Sequence, residues 1–339
     1  MKNKDIRLKI FQAYSQNLEW LKENPKIKLI PDYKDGYICP ICTNMFNTSD
    51  LSDQSNNQLT IEHVPPESLG GKPKILTCKK CNSKSGHELD NQLQKKLLQW
   101  DFNSFLPNSK INTQFELNGN KVNGNVDIYK DGVWKMNFRT QHSNPKEVGP
   151  FLKNLFPAKT IHNPLFNHNK IFDNQNLSQK FSFSKKDNIN VRYVEVATLR
   201  IAYLYAYSTF GNSLLLNPSF TKVRQQIMNP QEIILPRPYW IQYDFSDEWV
   251  GVNFIREPKE LRCLLVVFNL KTKSKTRRFA IALPGPNEPG IEIYNNISKK
   301  LGTKGEFQNV TIDHIADDNF IKNKTDTFAF QEFWNGLNK

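Results

Sequence analysis

Four of the five cysteines occur as two C-x-x-C pairs, Cys39 with Cys42 and Cys78 with Cys81. Two thiolates separated by two residues can bind one metal ion from a tight turn, and two such turns supply the four ligands of a closed tetrahedral zinc site. Two disulfides are the alternative, but such bonds are rare inside cells and nothing in the sequence suggests export. We therefore predict a structural Zn²⁺ ion bound by the four thiolates.

The gap between the two pairs, residues 43–77, is longer than the roughly 15 to 20 residues of a simple zinc ribbon, so further structure must be folded between them. The sequence around this gap reads C-P-x-C, then E-H-V-P-P-E-x-L-G-G-K, then L-T-C-x-x-C-N-x-x-x-G. This ordered pattern, over residues 36–90, resembles the HNH endonucleases, ββα-metal nucleases whose core is two strands and a helix around one metal ion. The resemblance implies metal-dependent hydrolysis of phosphodiester bonds.

The resemblance also implies roles for three residues. Phosphodiester hydrolysis needs a base that activates water and a cation that stabilises the phosphoryl group and the departing 3′ oxygen. His63 matches the general base of the family, since a neutral imidazole can accept a proton near neutral pH. Glu62 matches the acidic family position that usually holds the catalytic Mg²⁺ or Mn²⁺, and Asn82 matches the position of a metal ligand or an orienting amide. Both side chains offer oxygen ligands suited to a hard cation.

A third ligand of the catalytic metal has two candidates. His87 lies five residues after Asn82, so on a regular helix its side chain would point about 140° away. Gly86 could distort the helix enough to bring the two side chains together. Asp90 is the alternative, because it lies one helical turn beyond His87 and on the same face.

The chain departs from the family pattern at the middle Asn, where Pro73 and Lys74 stand instead. Lysines also surround the motif, and their ammonium groups could contact the phosphates of a nucleic acid. The predicted phosphate-binding residues are Lys72, Lys79, Lys80 and Lys84.

The overall charge favours a polyanionic partner. Among the 339 residues, Lys and Arg outnumber Asp and Glu by 46 to 33, and the formal net charge is +13. Basic side chains along a groove release counterions from phosphates, so we predict DNA as the substrate, with RNA as an alternative. The amino terminus lacks the apolar core of a signal peptide. The sequence also contains no stretch of about 18 apolar residues, so no membrane span is predicted. We expect a cytoplasmic protein.

The motif requires two strands and a helix to position its residues. We predict a short strand at 59–61 that leads into the Glu-His pair, a returning strand at 74–77 and a helix over 83–100. The paired prolines stop the first strand, and the Gly-Gly pair permits a turn at positive φ. An amphipathic helix at 5–24 precedes the motif. Zinc binding at the base of this small unit should be coupled to its folding.

Beyond residue 100 the patterns predict a mixture of strands and helices. A helix at 191–207 should be buried because it is apolar on nearly every side. Cys263 should be a small buried hydrophobic residue. The basic sequence LKTKSKT should form an exposed turn. Asp313-His314 should be a surface or capping pair near the last helix. The other predicted elements are a β-meander at 111–141, helices at 147–156, 219–228 and 317–337, and strands at 261–269 and 277–284.

The predicted fold class is therefore α+β. A zinc-stapled ββα-metal module with an amino-terminal helix would occupy residues 1–100, and a larger mixed α+β domain would occupy residues 101–339. The second domain carries no motif for a reaction, so target recognition, regulation or dimerisation are its expected roles. Prokaryotic proteins that defend against foreign DNA are often built in this way, and by that analogy we expect a role in such defence.

Several alternatives follow from this architecture. One HNH centre cuts one strand, so a double-strand break would need a homodimer or two successive nicks. A partner protein could activate or inhibit the enzyme, and a toxin-like nuclease held silent by a partner is one form of this. A catalytically inactive zinc-ribbon module that binds nucleic acid, with a carboxy-terminal domain that contacts proteins, is the alternative from another class.

Overall fold

The computed structural model describes residues 2–26, 35–56, 58–155, 182–184, 188–236, 240–241, 245–285, 292–301, 309–315 and 319–336. In these ranges the helices are α1 (Lys2–Glu23), α2 (Lys79–Ser85), α3 (Asn91–Asn103), α4 (Pro145–Leu155), α5 (Val191–Phe210), α6 (Asn212–Leu215), α7 (Thr221–Met228), α8 (Glu292–Leu301) and α9 (Lys324–Gly336). No helix of the described ranges has both the length and the apolar composition needed to cross a bilayer.

The strands in the same ranges form four antiparallel sheets, and the fold is a mixture of helices and sheets, which confirms the predicted α+β class. The strands are β1 (Tyr37–Ile38), β2 (Met45–Phe46), β3 (Leu59–Val64), β4 (Lys72–Cys78), β5 (Lys110–Leu117), β6 (Asn120–Ile128), β7 (Trp134–Phe138), β8 (Ser182–Ser184), β9 (Trp240–Ile241), β10 (Gly251–Glu257), β11 (Cys263–Lys271), β12 (Thr276–Pro284) and β13 (Thr311–Ile315).

The predicted ββα unit consists of β3, β4 and the helical segment that follows them. β3 pairs antiparallel with β4, and both strands are longer than predicted because the pairing continues from Leu59 with Cys78 to Val64 with Lys72. The helical segment begins directly after Cys78 and contains a turn of π-helix at Gly86–Asp90 between α2 and α3. Such turns interrupt the regular hydrogen-bond ladder and are frequent at functional sites.

Helices α1 and α5 cover the ββα unit with buried aromatic side chains. Tyr14 of α1 stacks on Tyr207 of α5 at a ring separation of 5.0 Å, and the edge of Tyr14 contacts Tyr37 of β1. The Tyr37 hydroxyl donates to the carbonyl oxygen of Leu76 and accepts from its N–H group. The prediction of a buried helix at 191–207 is confirmed, since most side chains of α5 are inaccessible to solvent.

The largest sheet has the strand order β13-β10-β11-β12-β9. Strands β11 and β12 match the two predicted strands, and Cys263 is buried as expected. Sequence reasoning missed β10 and β13. His314 is exposed, as predicted for a surface pair, but the pair does not cap a helix. Both residues lie in β13, where Asp313 forms an ion pair with Arg256 and His314 Nδ1 lies 2.7 Å from Asn253 Oδ1.

The predicted meander forms a sheet of its own, with the order β7-β6-β5-β8. Asn118 and Gly119 make the first turn with positive φ angles of 49° and 78°, which short polar residues and glycine tolerate best. Helix α4 places Phe151 in a core that contains Phe115 and Val126. Alternation of apolar and polar residues along the strands therefore produces one buried face.

The chain divides into two compact units. The first comprises Met1–Lys95, Asn190–Thr272 and Thr276–Lys339, and the second comprises Lys96–Ile189 and Lys273–Lys275. These bounds differ from the division predicted at residue 100. The difference arises because the apolar helix α5 packs on β3 and β4, and so joins the ββα unit to the largest sheet.

Candidate active site

The first C-x-x-C pair lies in the tight turn between β1 and β2. The Cys39 N–H group donates to the carbonyl oxygen of Asn44 at 3.0 Å, and the Thr43 N–H group donates to that of Cys39 at 2.9 Å. Thr43 has a positive φ of 59°, a conformation that is uncommon outside glycine and asparagine. This turn directs the sulfurs of Cys39 and Cys42 toward the second pair.

The second pair lies where β4 ends and α2 begins. Cys78 precedes the first residue of α2, and the Lys79 N–H group donates to the carbonyl oxygen of Gln58 at 2.8 Å. The sulfur atoms of all four cysteines lie within 4.8 Å of one another, and none of these cysteines forms a disulfide. Hydrogen bonds from the other three thiols lower the pKa of Cys78, and the thiolate is the form that binds zinc.

The spacing of the four sulfurs is compatible with a zinc site. Sulfurs about 2.3 Å from a central Zn²⁺ form a tetrahedron with edges of about 3.8 Å. The Sγ atoms of Cys42 and Cys78 lie 3.8 Å apart. The predicted cluster is therefore confirmed, and its donor set fits a structural Zn²⁺ ion.

Glu62 and His63 lie at the end of β3 and have different environments. Glu62 is buried, with 4% of its surface exposed, whereas His63 is half-buried. The pairing also shifts here, because Glu62 lies opposite Ile75 while His63 lies opposite Pro73. Lys74 has no partner residue in β3 and forms a β-bulge. Its ammonium lies 4.2 Å from the ring centre of Tyr205.

Asn82 is the residue of α2 that joins the helix to β3. Its Nδ2 atom donates to Thr60 Oγ1 at 2.9 Å and to the carbonyl oxygen of Ile61 at 3.2 Å. Within the described part of the chain, Asn82 Oδ1 accepts no hydrogen bond. The amide is therefore held by its nitrogen at the two strand residues that precede Glu62, and its oxygen remains available.

Glu62 forms an ion pair with an arginine from far along the chain. Arg200 Nη2 lies 2.8 Å from Glu62 Oε2, and Arg200 Nη1 lies 3.2 Å from Asp90 Oδ1. The Thr77 hydroxyl donates to the same Oε2 atom at 3.0 Å. Arg200 is almost fully buried on α5. The sequence contained no signal for this contact except an arginine in the mainly apolar middle of the helix.

Burial and charge determine the protonation of this cluster. Burial raises the pKa of Asp90 to about 6, although Arg200 lowers it in part and Glu62 raises it again. Burial opposes the charge of Arg200, but the two carboxylates outweigh burial and raise its pKa. One guanidinium is shared by two carboxylates, so the cluster has an excess of negative charge when both are ionised.

The two candidates for a third ligand of the catalytic metal have different environments. His87 lies in the π-helical turn with an exposed side chain, and Asp90 faces Arg200. Within the described residues, the four cysteines are the one group of three or more His, Cys, Asp or Glu ligands close enough to share an ion. His87 is therefore not brought together with Glu62 and Asp90 into a three-ligand group.

The predicted phosphate-binding lysines have two kinds of environment. Lys72, Lys79 and Lys80 are exposed. Lys84 is also exposed, but its ammonium donates to the carbonyl oxygen of Met228 at 2.8 Å, at the end of α7. Lys84 thus has a structural contact that the sequence did not predict.

A further lysine lies beside the motif. Gly70, in the loop between β3 and β4, has a positive φ of 89°, and a side-chain carbon built there would lie 3.1 Å from Cβ of Lys271. Lys271 is exposed at the end of β11, where the basic turn to β12 begins. Sequence reasoning identified this segment as basic but had no means to place Lys271 beside Gly70.

Comparison with known families agrees with the motif. Residues 39–98 match the family model described as HNH endonuclease. Neither the curated proteins nor the solved structures contain a match to the chain. The resemblance predicted from the sequence is thus confirmed for the segment that holds the cysteine cluster, the β3–β4 hairpin and Asn82, while Arg200 and Lys271 lie outside it.

Proposed function

We propose that this protein is a metal-dependent endonuclease that hydrolyses phosphodiester bonds in DNA. The observation that carries the proposal is the hydrogen bond from Asn82 to Ile61, together with that to Thr60. These bonds attach the first turn of α2 to the residues that directly precede Glu62 and His63. The family match over residues 39–98 supports the same assignment.

His63 is the general base in this proposal. Its imidazole is half-buried at the end of β3, and no hydrogen bond within the described residues occupies its ring nitrogens. A ring nitrogen can accept the proton of a water molecule as that water attacks the phosphorus atom. The strand and the following prolines hold His63 at one place relative to the hairpin.

Glu62 and Asn82 would hold the catalytic Mg²⁺ or Mn²⁺. Their Oε1 and Oδ1 atoms accept no hydrogen bond in the described part of the chain, and a carboxylate and an amide oxygen suit a hard cation. When bound, such a cation stabilises the charged phosphoryl group and the departing 3′ oxygen. We take His87 as the third ligand, since its side chain is exposed whereas Asp90 is engaged by Arg200.

Positive charge around the motif supports a nucleic acid as substrate. Lys72, Lys79 and Lys80 are exposed within the module, and Lys271 lies beside its loop. Each ammonium that contacts a phosphate releases counterions and adds to affinity. RNA is the competing substrate, and a role against foreign DNA stays a prediction from the architecture.

Two observations favour a second candidate function, a nucleic-acid-binding module without catalysis. Glu62 already has a cationic partner in Arg200, and Lys74 stands where the family has its middle Asn. An acid fully satisfied by an arginine would have little affinity for a metal ion. The protein would then bind DNA through its lysines and act through protein contacts.

Cleavage of supercoiled plasmid by the purified protein separates the two candidates. The wild type, His63→Ala and His142→Ala should be compared in Mg²⁺, in Mn²⁺ and in EDTA. His142 is an exposed histidine outside the module, so its loss controls for surface changes. The nuclease is supported by nicked or linear product that disappears in EDTA and in His63→Ala but persists in His142→Ala. Intact plasmid together with a tight gel shift would favour the binding module.

A further inference from the structure

Arg200 contacts the proposed metal ligand Glu62 from a helix outside the family segment. Its side chain is 1% exposed and lies between two carboxylates, those of Glu62 and Asp90. We infer that Arg200 is a positioning residue, which orients Glu62 and leaves one of its oxygens free for the catalytic divalent cation. This inference rests on the proposed function, because it concerns the same metal site.

The two oxygens of Glu62 have different surroundings. Oε2 accepts a hydrogen bond from the Thr77 hydroxyl at 3.0 Å and lies 2.8 Å from Arg200 Nη2. Oε1 accepts no hydrogen bond within the described residues. Two partners on one oxygen fix the plane of the carboxylate, so the other oxygen has a defined direction. Fixed partners of this kind orient ligands in metal sites and raise their affinity.

Asn82 is also fixed through one of its two polar side-chain atoms. Its nitrogen donates both of its hydrogen bonds to β3, to Thr60 Oγ1 and to the carbonyl oxygen of Ile61. The amide oxygen is left over, as is Oε1 of Glu62. Both proposed ligands therefore use one polar atom for attachment and keep the other for the cation.

The second contact of Arg200, with Asp90, explains how an arginine can be tolerated in a cation site. A guanidinium paired with Glu62 alone would cancel the charge that attracts a metal ion. Arg200 divides its contacts, because Nη1 also lies 3.2 Å and 3.4 Å from the two oxygens of Asp90. With two carboxylates on one guanidinium, the cluster keeps an excess of negative charge. The planar fork of arginine can make both contacts at once, which a lysine ammonium cannot do in the same geometry.

A competing role for Arg200 predicts the opposite effect on metal binding. If Arg200 only occupied the place of a cation and repelled the metal, its removal would strengthen metal binding. If Arg200 orients Glu62, its removal weakens metal binding. The sign of the change in affinity thus separates the two roles.

The test measures Mn²⁺ binding to the full-length, zinc-loaded protein by electron paramagnetic resonance, in the wild type and in Arg200→Lys. We expect Arg200→Lys to raise the dissociation constant for Mn²⁺ by about 10- to 100-fold, with the zinc content unchanged. A second variant, Arg200→Met with Asp90→Asn, removes the guanidinium without leaving both carboxylates ionised, and we expect the same direction. If Arg200→Lys loses zinc, the Mn²⁺ affinity of this double variant decides whether Arg200 orients Glu62.

Arg192→Met is the matched control, because Arg192 also lies on α5 and forms an ion pair with Glu195, at 3.6 Å. Its Mn²⁺ affinity should equal that of the wild type. Unchanged or tighter Mn²⁺ binding in the Arg200 variants would overturn the inference, and so would a wild type that binds no Mn²⁺. A wild type that binds Mn²⁺ but leaves plasmid intact would defeat the proposed function alone, since the ratio of affinities would still test Arg200.

Discussion

The Tyr203 hydroxyl donates a hydrogen bond of 2.8 Å to the carbonyl oxygen of Pro40, which lies between the two cysteines of the first pair. Tyr203 is fully buried on α5. The helix that provides Arg200 to Glu62 therefore also supports the turn that provides Cys39 and Cys42. The cysteine cluster and the proposed active site share one supporting helix, although the family segment ends at residue 98.

Tyr203→Phe should destabilise the protein through this turn. The change removes one buried donor and leaves the Pro40 carbonyl oxygen unsatisfied, which costs about 1–3 kcal/mol. The free energy of unfolding in urea should fall by that amount, and a chelator should remove zinc faster. Tyr193→Phe on the same helix is the control, since no described residue hydrogen-bonds to its hydroxyl. Equal stability of the two variants would show that the Pro40 contact contributes little.

Cys78→Ala should lose the zinc ion and with it the folded module. Three thiolates bind zinc less tightly than four, and the binding free energy is part of the folding free energy of so small a unit. We expect one zinc ion per chain in the wild type, measured by atomic absorption, and a clear loss in the variant. Cys263→Ala also removes a buried cysteine, but one outside the cluster, and should retain the metal. Equal zinc content in both variants would contradict the assignment.

Lys72→Gln and Lys271→Gln should each weaken DNA binding in a salt-dependent way. Both ammonium groups are exposed, and no ion pair within the described residues involves them. Loss of one phosphate contact should reduce the slope of log K against log salt by about 1. Binding can be measured in the His63→Ala background to prevent cleavage.

Lys26→Gln is the charge-matched control for these lysines. Lys26 is exposed and forms an ion pair with Glu332 at 3.0 Å, so it already has an acidic partner. Its loss lowers the net charge by the same amount but should leave the slope unchanged. If all three variants changed the slope equally, general charge and not position would explain DNA binding.

Asp90 should make the stability depend on pH in an unusual direction. Its pKa of about 6 in the folded protein lies above the value of about 3.9 for an unfolded chain. The folded state therefore binds more protons between these values, and stability from this group is present at low pH and lost as the pH rises through about 6. Relative to Asp90→Asn, the wild type should lose about 2 kcal/mol of unfolding free energy between pH 4 and pH 7. A constant or reversed difference would contradict this assignment.

Local patterns in the sequence predicted much of the candidate site. The C-x-x-C pairs, the strand before the paired prolines and the Gly-Gly turn each depend on a few neighbouring residues, so their geometry can be inferred without the rest of the chain. The meander around Gly119 was predictable for the same reason. Gly86 was identified as a place where the helix could distort, and the π-helical turn begins there.

Other elements were missed because their patterns depend on their surroundings. In β10, Asn253 is fully buried, and its amide donates to the carbonyl oxygens of Trp249 and Leu265. A polar residue at a buried position interrupts the alternation of apolar and polar residues by which a strand is predicted from sequence. Asp313-His314 was expected near the last helix, but pairing with β10 makes it part of a strand.

The sequence by itself determined the cysteine cluster and the ββα unit and predicted the three motif residues, since each is encoded by residues close together in the chain. The tertiary structure alone decided that Arg200 is shared by Glu62 and Asp90, and that Lys271 lies beside Gly70. These contacts join residues far apart in the chain, and their positions follow from how α5 and the largest sheet pack on the hairpin. Packing depends on the shapes and volumes of whole buried faces, which a motif does not contain.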